Sequence, residues 1–326
     1  MKEVGVTTID SFIIRIDSLS LPYSNTIQYY SDSLKNYLTY FNQGTNSIYF
    51  INYESKQTEF VWNKSRSVQS YDSYFLVNSD SIFLFNTKKK LLDRYNLDGE
   101  HISRYDFKYD MIQDSTILPF PYLTTSLPLI VNKDNLYLSG YHVGEFGEMP
   151  FHRKTIIRYN DSENKINFLV DYPAIYNSYN WGITYYYITS VCFNSNKNLI
   201  IVNFPLSHEL YVYDLIKEEG SYLYASSKHI KAIEPFSRDK NDFIDSKDRL
   251  KYYLTNASYS SVFYDKYKNI YYRIAALPME DKDILNRDFW KKRKYTVIFL
   301  NERFEYLGER FLGGILPENI FINENG

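Results

Sequence analysis

The residues best equipped for chemistry lie in one short stretch, Tyr141-His142-Val143-Gly144-Glu145-Phe146-Gly147-Glu148-Met149-Pro150-Phe151-His152. Imidazole and carboxylate side chains hold zinc-type ions and move protons near neutral pH. His142, Glu145, Glu148 and His152 supply both types, but their spacing matches no metal-ligand pattern. Gly144, Gly147 and Pro150 also oppose a helix that would gather them on one side. The stretch is therefore expected to be a solvated loop, with no metal assigned to it. A second candidate is the run Tyr179-Asn180-Trp181-Gly182-Ile183-Thr184-Tyr185-Tyr186-Tyr187. Amphipathic rings on a loop offer large, rigid contact area to a protein or a sugar. Together the two stretches nominate Tyr141, His142, Glu145, Glu148, His152, Trp181, Tyr185 and Tyr186 as ligand- or partner-binding residues. The competing expectation is that the rings of the second run pack over a channel mouth or begin an inner strand.

Other familiar chemistries lack their residues. The chain has no Gly-rich phosphate loop, no zinc-type Cys/His spacing, no calcium loop and no Gly-x-Ser-x-Gly elbow, so no catalytic residue and no cofactor is assigned. Lysine plus arginine number 37 against 39 acidic residues, a net charge of -2 that creates no field to steer nucleic acid or an anionic membrane. Lys88-Lys89-Lys90 and Lys291-Lys292-Arg293-Lys294 are short and isolated, and are expected to be solvated loop or edge charges. The single cysteine, Cys192, sits between apolar neighbours and is expected to be a buried small hydrophobe. No apolar run is long enough to span a membrane, and the first residues lack the apolar core of an export signal.

The elements that must position these candidates are strands. Aromatic residues make up 18% of the chain, including 35 Tyr and 22 Phe, and such side chains suit a pleated, half-buried surface. A short apolar strand is followed six residues later by another across a polar turn: Leu76 then Ile82, Ile130 then Leu136, Phe193 then Leu199, Tyr264 then Ile270. Asn, Asp, Ser and Lys fill the intervening turns, so each unit reads as a β-hairpin. A looser first copy places Tyr37–Phe41 before Ile48–Phe50, and a last partial copy places Gly314–Leu316 before Ile320–Ile322. A third strand follows with an aromatic residue and then Asn or Asp, as in Tyr95-Asn96, Tyr159-Asn160 and Tyr213-Asp214; a fourth apolar strand comes after a polar turn. Four strands per unit, repeated, predict an all-β fold: one six-bladed β-propeller domain over residues 1–326, built of four-stranded antiparallel blades.

The anchors Ile48, Ile82, Leu136, Leu199, Ile270 and Ile320 are separated by 34, 54, 63, 71 and 50 residues, so the connections differ far more than the strands. In an up-and-down blade, successive connections alternate between the two faces of the disc. The long segments 108–126, 141–153, 171–189, 226–260 and 275–294 all fall in second-to-third or blade-to-blade connections, which predicts one loop-rich face and one trimmed face. Short helices are expected within this decoration, after Ser237, where Phe243, Ile244, Leu250 and Leu254 recur at roughly helical spacing, and between Met279 and Trp290.

The segment Tyr259–Pro278, with Val262-Phe263-Tyr264-Asp265-Lys266-Tyr267-Lys268-Asn269-Ile270-Tyr271-Tyr272-Arg273, resembles a motif of an uncharacterised propeller family of Bacteroides-type bacteria, domain of unknown function 4221. Tyr37–Glu54 and Ser79–Asn86 are similar to it too, and the resemblance runs in patches over nearly the whole chain. It implies a six-bladed, TolB-like propeller among cell-envelope or secreted lipoproteins, with no activity assigned and no catalytic residues to carry over. The family continues past Asn325-Gly326, so either N-terminal strands near Phe12–Ile16 and Thr26–Tyr30 complete the last blade or the ring is imperfectly closed. Two functions follow as expectations. The first is a non-enzymatic binding or assembly module of the envelope, holding a protein or glycan on the loop-rich face. The second is a propeller-type hydrolase or lyase acting on carbohydrate or a lactone, with carboxylates or His142 and His152 near the channel mouth.

Overall fold

The computed structural model describes residues 24–32, 35–63, 70–113, 116–142, 152–182, 184–239, 242, 245–284, 292–312 and 320–323. Five successive sheets follow one another along the chain. The first holds β1 (Ile27–Ser31), β2 (Asn36–Asn42), β3 (Ser47–Asn52) and β4 (Thr58–Asn63), and the second β5 (Ser73–Asn78), β6 (Ser81–Asn86), β7 (Leu91–Tyr95) and β8 (His101–Asp106). Three short strands, β9 (Ile112–Gln113), β10 (Thr116–Ile117) and β11 (Phe120–Pro121), extend the third sheet, whose body is β12 (Ile130–Asn132), β13 (Asn135–Tyr141), β14 (His152–Asn160) and β15 (Lys165–Asp171). The fourth comprises β16 (Ser190–Asn194), β17 (Leu199–Asn203), β18 (Glu209–Asp214) and β19 (Glu219–Tyr224). The fifth comprises β20 (Ser258–Asp265), β21 (Ile270–Ala276), β22 (Tyr295–Leu300) and β23 (Tyr306–Leu312). All pairing is antiparallel except between β10 and β14.

The turns show why these strands begin and end where they do. Asn42, Asn52, Asn86, Asn160, Asn194, Asp214, Asp265 and Asn301 each accept backbone amide bonds from residues two to four positions on, closing a tight turn with their own side chain. The same turns carry left-handed residues such as Asn46, Lys56, Lys90, Asn164, Asn198, Glu218 and Asn269. The third-strand pattern of an aromatic residue followed by Asn or Asp is thus the acceptor that starts the turn into the fourth strand.

Burial completes the argument. Every residue of β3 and β6 is buried, as expected for apolar strands covered on both faces by neighbouring sheets. Phe41, Phe50 and Trp62 pack on Tyr74, Leu84 and Tyr95 between the first two sheets, and Phe83 and Phe85 meet Leu136 and Ile157 between the next two. Ile156 and Val170 then meet Ile200 and Val202, and Ile201 and Leu210 meet Val262 and Ile298. Residues 320–323 bridge back: Ile320 and Ile322 lie on Ile274 and Val297 of the fifth sheet, while Phe321 lies on Leu38 and Tyr40 of the first. The result is a propeller-like ring of mostly antiparallel sheets, four of them four-stranded and the third extended to seven strands among the described residues.

Two expectations need correction. Tyr37–Phe41 and Ile48–Phe50 are the second and third strands of the first sheet, because Ile27–Ser31 precedes them as its first strand and pairs with β2. Thr26–Tyr30 therefore completes the first sheet and not the last. Six complete blades are not seen among the described residues; Phe12–Ile16 and Gly314–Leu316 lie outside them, and Ile320–Ile322 forms no strand. Strand parity, by contrast, holds throughout: first-to-second and third-to-fourth turns are short in every sheet, and all the long connections leave from the opposite face. That face carries the helices α1 (Ser246–Thr255) and α2 (Asp281–Ile284). Phe243, Ile244 and residues 285–290 lie outside the described residues.

Candidate functional site

Two cavities lie among the first strands of the sheets, one lined by residues near their first-to-second turns and one by residues of the long connections that precede them. At the trimmed face a cavity of about 370 Å³ is walled by Phe75, Val77, Leu129, Val131, Phe193 and Phe263, with Lys266 and Tyr267 at its edge. At the loop-rich face a cavity of about 300 Å³ is lined by Ser24, Asn25, Thr124, Ser126, Ser258 and Ser260 together with the rings of Tyr122, Tyr185, Tyr253 and Tyr259. The second is the better candidate, since a few convergent polar groups among rings give orientation as well as contact area. No carboxylate is among its described lining residues.

Each wall has a local cause. Ser258, Tyr259 and Ser260 all line the cavity at the start of β20, where a register shift between Tyr259 and Ser261 breaks the strict alternation of the strand. The Ser260 hydroxyl is enclosed and has no hydrogen-bond partner among the described residues. Thr125 ties the facing wall to the first sheet by accepting the Ile27 amide bond at 2.9 Å. Tyr253 comes from the last turn of α1, and Tyr185 packs against it with ring centroids 5.1 Å apart at 44°. Tyr185 keeps 51% of its surface exposed, so it is the ring that a ligand would meet first.

Two buried guanidinium groups stand behind this wall. Arg273, fully enclosed, donates to Asn203 Oδ1 at 2.8 Å and to the carbonyls of Ser207, His208, Glu209 and Ala225, fastening the fourth sheet to the fifth. Its Cζ lies 3.6 Å from the Tyr259 ring centroid. Burial draws its pKa down to about 10, so it stays charged at neutral pH. The Tyr259 hydroxyl accepts the Ser227 amide bond and shares a hydrogen bond with His208 Nδ1 at 2.8 Å; burial, and then the Arg273 charge, lower the His208 pKa. Arg293 donates to the carbonyls of Tyr253, Asn256 and Leu277, and its Cζ lies 4.5 Å from the Tyr253 ring centroid. It caps the C-terminal end of α1, where free carbonyls welcome a cation. The expected role of the Lys291–Lys294 run as solvated charge thus fails for Arg293, which is buried.

The nominated residues fare differently. Glu145 and Glu148 lie outside the described residues. His152 is exposed at the start of β14, while His142 is buried, donating from Nε2 to the Lys154 carbonyl at 2.9 Å. Burial, reinforced by the Arg153 charge, holds the His142 pKa down to about 3. Among the described residues no group of three or more His, Cys, Asp or Glu is placed to hold a metal. Trp181 and Tyr186 are enclosed: Trp181 Nε1 donates to the Ile175 carbonyl, and Tyr186 sits against Tyr252 and Tyr253. Tyr141 is half-buried against Phe120 and Tyr122. Of the aromatic run, Tyr185 alone among the nominated residues reaches the mouth; Trp181 and Tyr186 form a buried seam that fixes Tyr253 behind it. Cys192 is buried, as expected. The serine lining and both arginines went unnominated, because single Ser and Arg residues carry no motif; Arg273 ends the Tyr-Tyr-Arg stretch but gave no sign of facing a neighbouring sheet.

Fold and mouth together define a propeller-like ring with an uncharged lining at its loop-rich end. Residues 4–310 match the family described as Domain of unknown function (DUF4221), and the chain belongs to that family. It is similar in structure to a member of that family from Bacteroides vulgatus, with 18% identity, a TM-score of 0.71, and coverage of 92% of this chain and 84% of that one. It is also similar to a putative exported protein from Bacteroides fragilis, with 9% identity, a TM-score of 0.51, and coverage of 92% and 74%. No curated protein matches it. No helix among the described residues is long and apolar enough to cross a membrane.

Proposed function

We propose that this chain is a non-enzymatic binding module of the bacterial cell envelope that holds a glycan or a protein segment in the loop-rich mouth. The observation that carries the reading is the lining itself: hydroxyls and tyrosine rings, with Tyr185 exposed, and no carboxylate pair of the kind a hydrolase requires among the described lining residues. The one-sided distribution of long connections supports the same face. The envelope location is supported by the likeness to an exported protein. A sixth sector built from the terminal segments fits the bridging position of Ile320–Ile322 between the first and fifth sheets.

The test compares the two mouths. Capture of a soluble glycan panel and of envelope extracts is measured for wild type, Tyr185→Ala with Tyr253→Ala, and Tyr267→Ala at the trimmed face. Loss of capture in the first variant with retention in the second is the expected result. The opposite pattern would move the site to the other end of the channel, and cell fractionation that leaves the protein in the cytoplasm would remove the envelope assignment.

A further inference from the structure

The neutral lining of the loop-rich mouth conceals an uneven charge distribution. Arg273 and Arg293 both stack on rings that line the cavity, and among the described residues their hydrogen bonds run to carbonyls and one amide oxygen, with no ion pair to a carboxylate. Dipoles satisfy a guanidinium's N–H groups but do not cancel its net charge, and in a poorly hydrated region that field reaches further than in water. One buried carboxylate, Glu309, lies nearby, held by Ser227, Thr296 and the Lys228 amide. The C-terminal dipole of α1 offsets part of the Arg293 charge. Among the described residues, two buried guanidinium groups against one buried carboxylate bias the cavity wall toward positive charge. Its hydroxyls suit a hydroxylated body, and its volume of about 300 Å³ suits a compact one.

We propose that the loop-rich mouth selects an anion: a hydroxylated ligand of monosaccharide size that bears a carboxylate, drawn by the two guanidinium groups behind Tyr253 and Tyr259. This rests on the loop-rich mouth being the binding face. The arginines are positioning and field-generating residues, since rings separate them from the cavity.

The probes are D-galacturonate, D-galactose and D-galactosamine, which share a ring and differ in charge, titrated against the whole chain by NMR. Galacturonate is expected to bind about tenfold more tightly than galactose, with galactosamine weakest, and the preference should shrink several-fold between low and high salt. Arg293→Gln keeps a donor toward the helix carbonyls and removes the charge; it should reduce the ratio of galacturonate to galactose affinity several-fold, whatever it does to the affinity for galactose itself. If that variant does not fold, the salt dependence of wild type decides. Equal binding of galacturonate and galactose, a preference indifferent to salt, or no binding of any of the three would overturn the proposal. Tyr185→Ala separates the two readings. Sugar binding that depends on Tyr185 but ignores charge sinks only the anion preference, whereas a charge preference that ignores Tyr185 sinks the choice of face.

Discussion

Acidification from pH 8 to pH 5 should weaken this fold by about 2 kcal/mol through His142 alone. In the native state its Nε2–H donates to the Lys154 carbonyl, and Nδ1 is buried with no partner among the described residues. A second proton would place an unpaired N–H and a positive charge beside Arg153 in a site packed against Tyr172. The native pKa is accordingly held from an ordinary 6.5 to about 3. Between those two values the unfolded chain binds the proton and the folded chain does not, so stability falls as pH drops through 6.5 and the loss is complete only below about 3. At pH 5 the linkage integral gives about 2 kcal/mol, approaching about 5 kcal/mol at its acid limit. Urea unfolding followed by tyrosine and tryptophan fluorescence at both pH values measures it. His142→Gln supplies the comparison, because its amide can still donate to Lys154 and does not titrate. The variant should lose about 2 kcal/mol less than wild type across the same interval. Identical pH slopes in the two proteins would refute the assignment of a neutral, enclosed His142.

Three other outcomes follow from the packing. Arg273→Ala strands the carbonyls of Ser207, His208, Glu209 and Ala225 between the fourth and fifth sheets; a loss of about 3–5 kcal/mol in urea unfolding is expected. Gly140→Ala would drive a methyl group into the Phe120 carbonyl oxygen where β11 pairs with β13. Backbone must move there, so melting should report about 1–3 kcal/mol of destabilisation. Cys192 is buried at the wall of the trimmed-face cavity and burial pushes its thiol pKa upward, so Ellman's reagent should react with it much more slowly in the native protein than in denaturant.

Much of the fold was legible because its signals are local. The four regular hairpins, the Asn and Asp residues that close the turns and the parity that sends long connections to one face depend on residues within a few positions of one another. The first hairpin was assigned to the wrong strands of its sheet because Ile27–Ser31, a run of Ile, Gln, Tyr, Tyr and Ser, lacks the strong apolar core that marked the other inner strands. The candidate site was legible only in part. A ring-rich loop announces contact potential, but whether a ring faces water or a neighbour depends on what packs above it: α1 covers Tyr186 and leaves Tyr185 open.

By itself, then, the sequence determined the strands, their turns, the repeated antiparallel unit and the face that carries the long loops, since backbone pairing and turn closure are short-range. Only the tertiary structure decided which side chains meet at the channel mouth, that His142 is a buried neutral group, and that Arg273 and Arg293 stand behind the tyrosines. Those facts join residues from different sheets, and their energies come from burial and from charge in a poorly hydrated interior, neither of which has a signature along the chain.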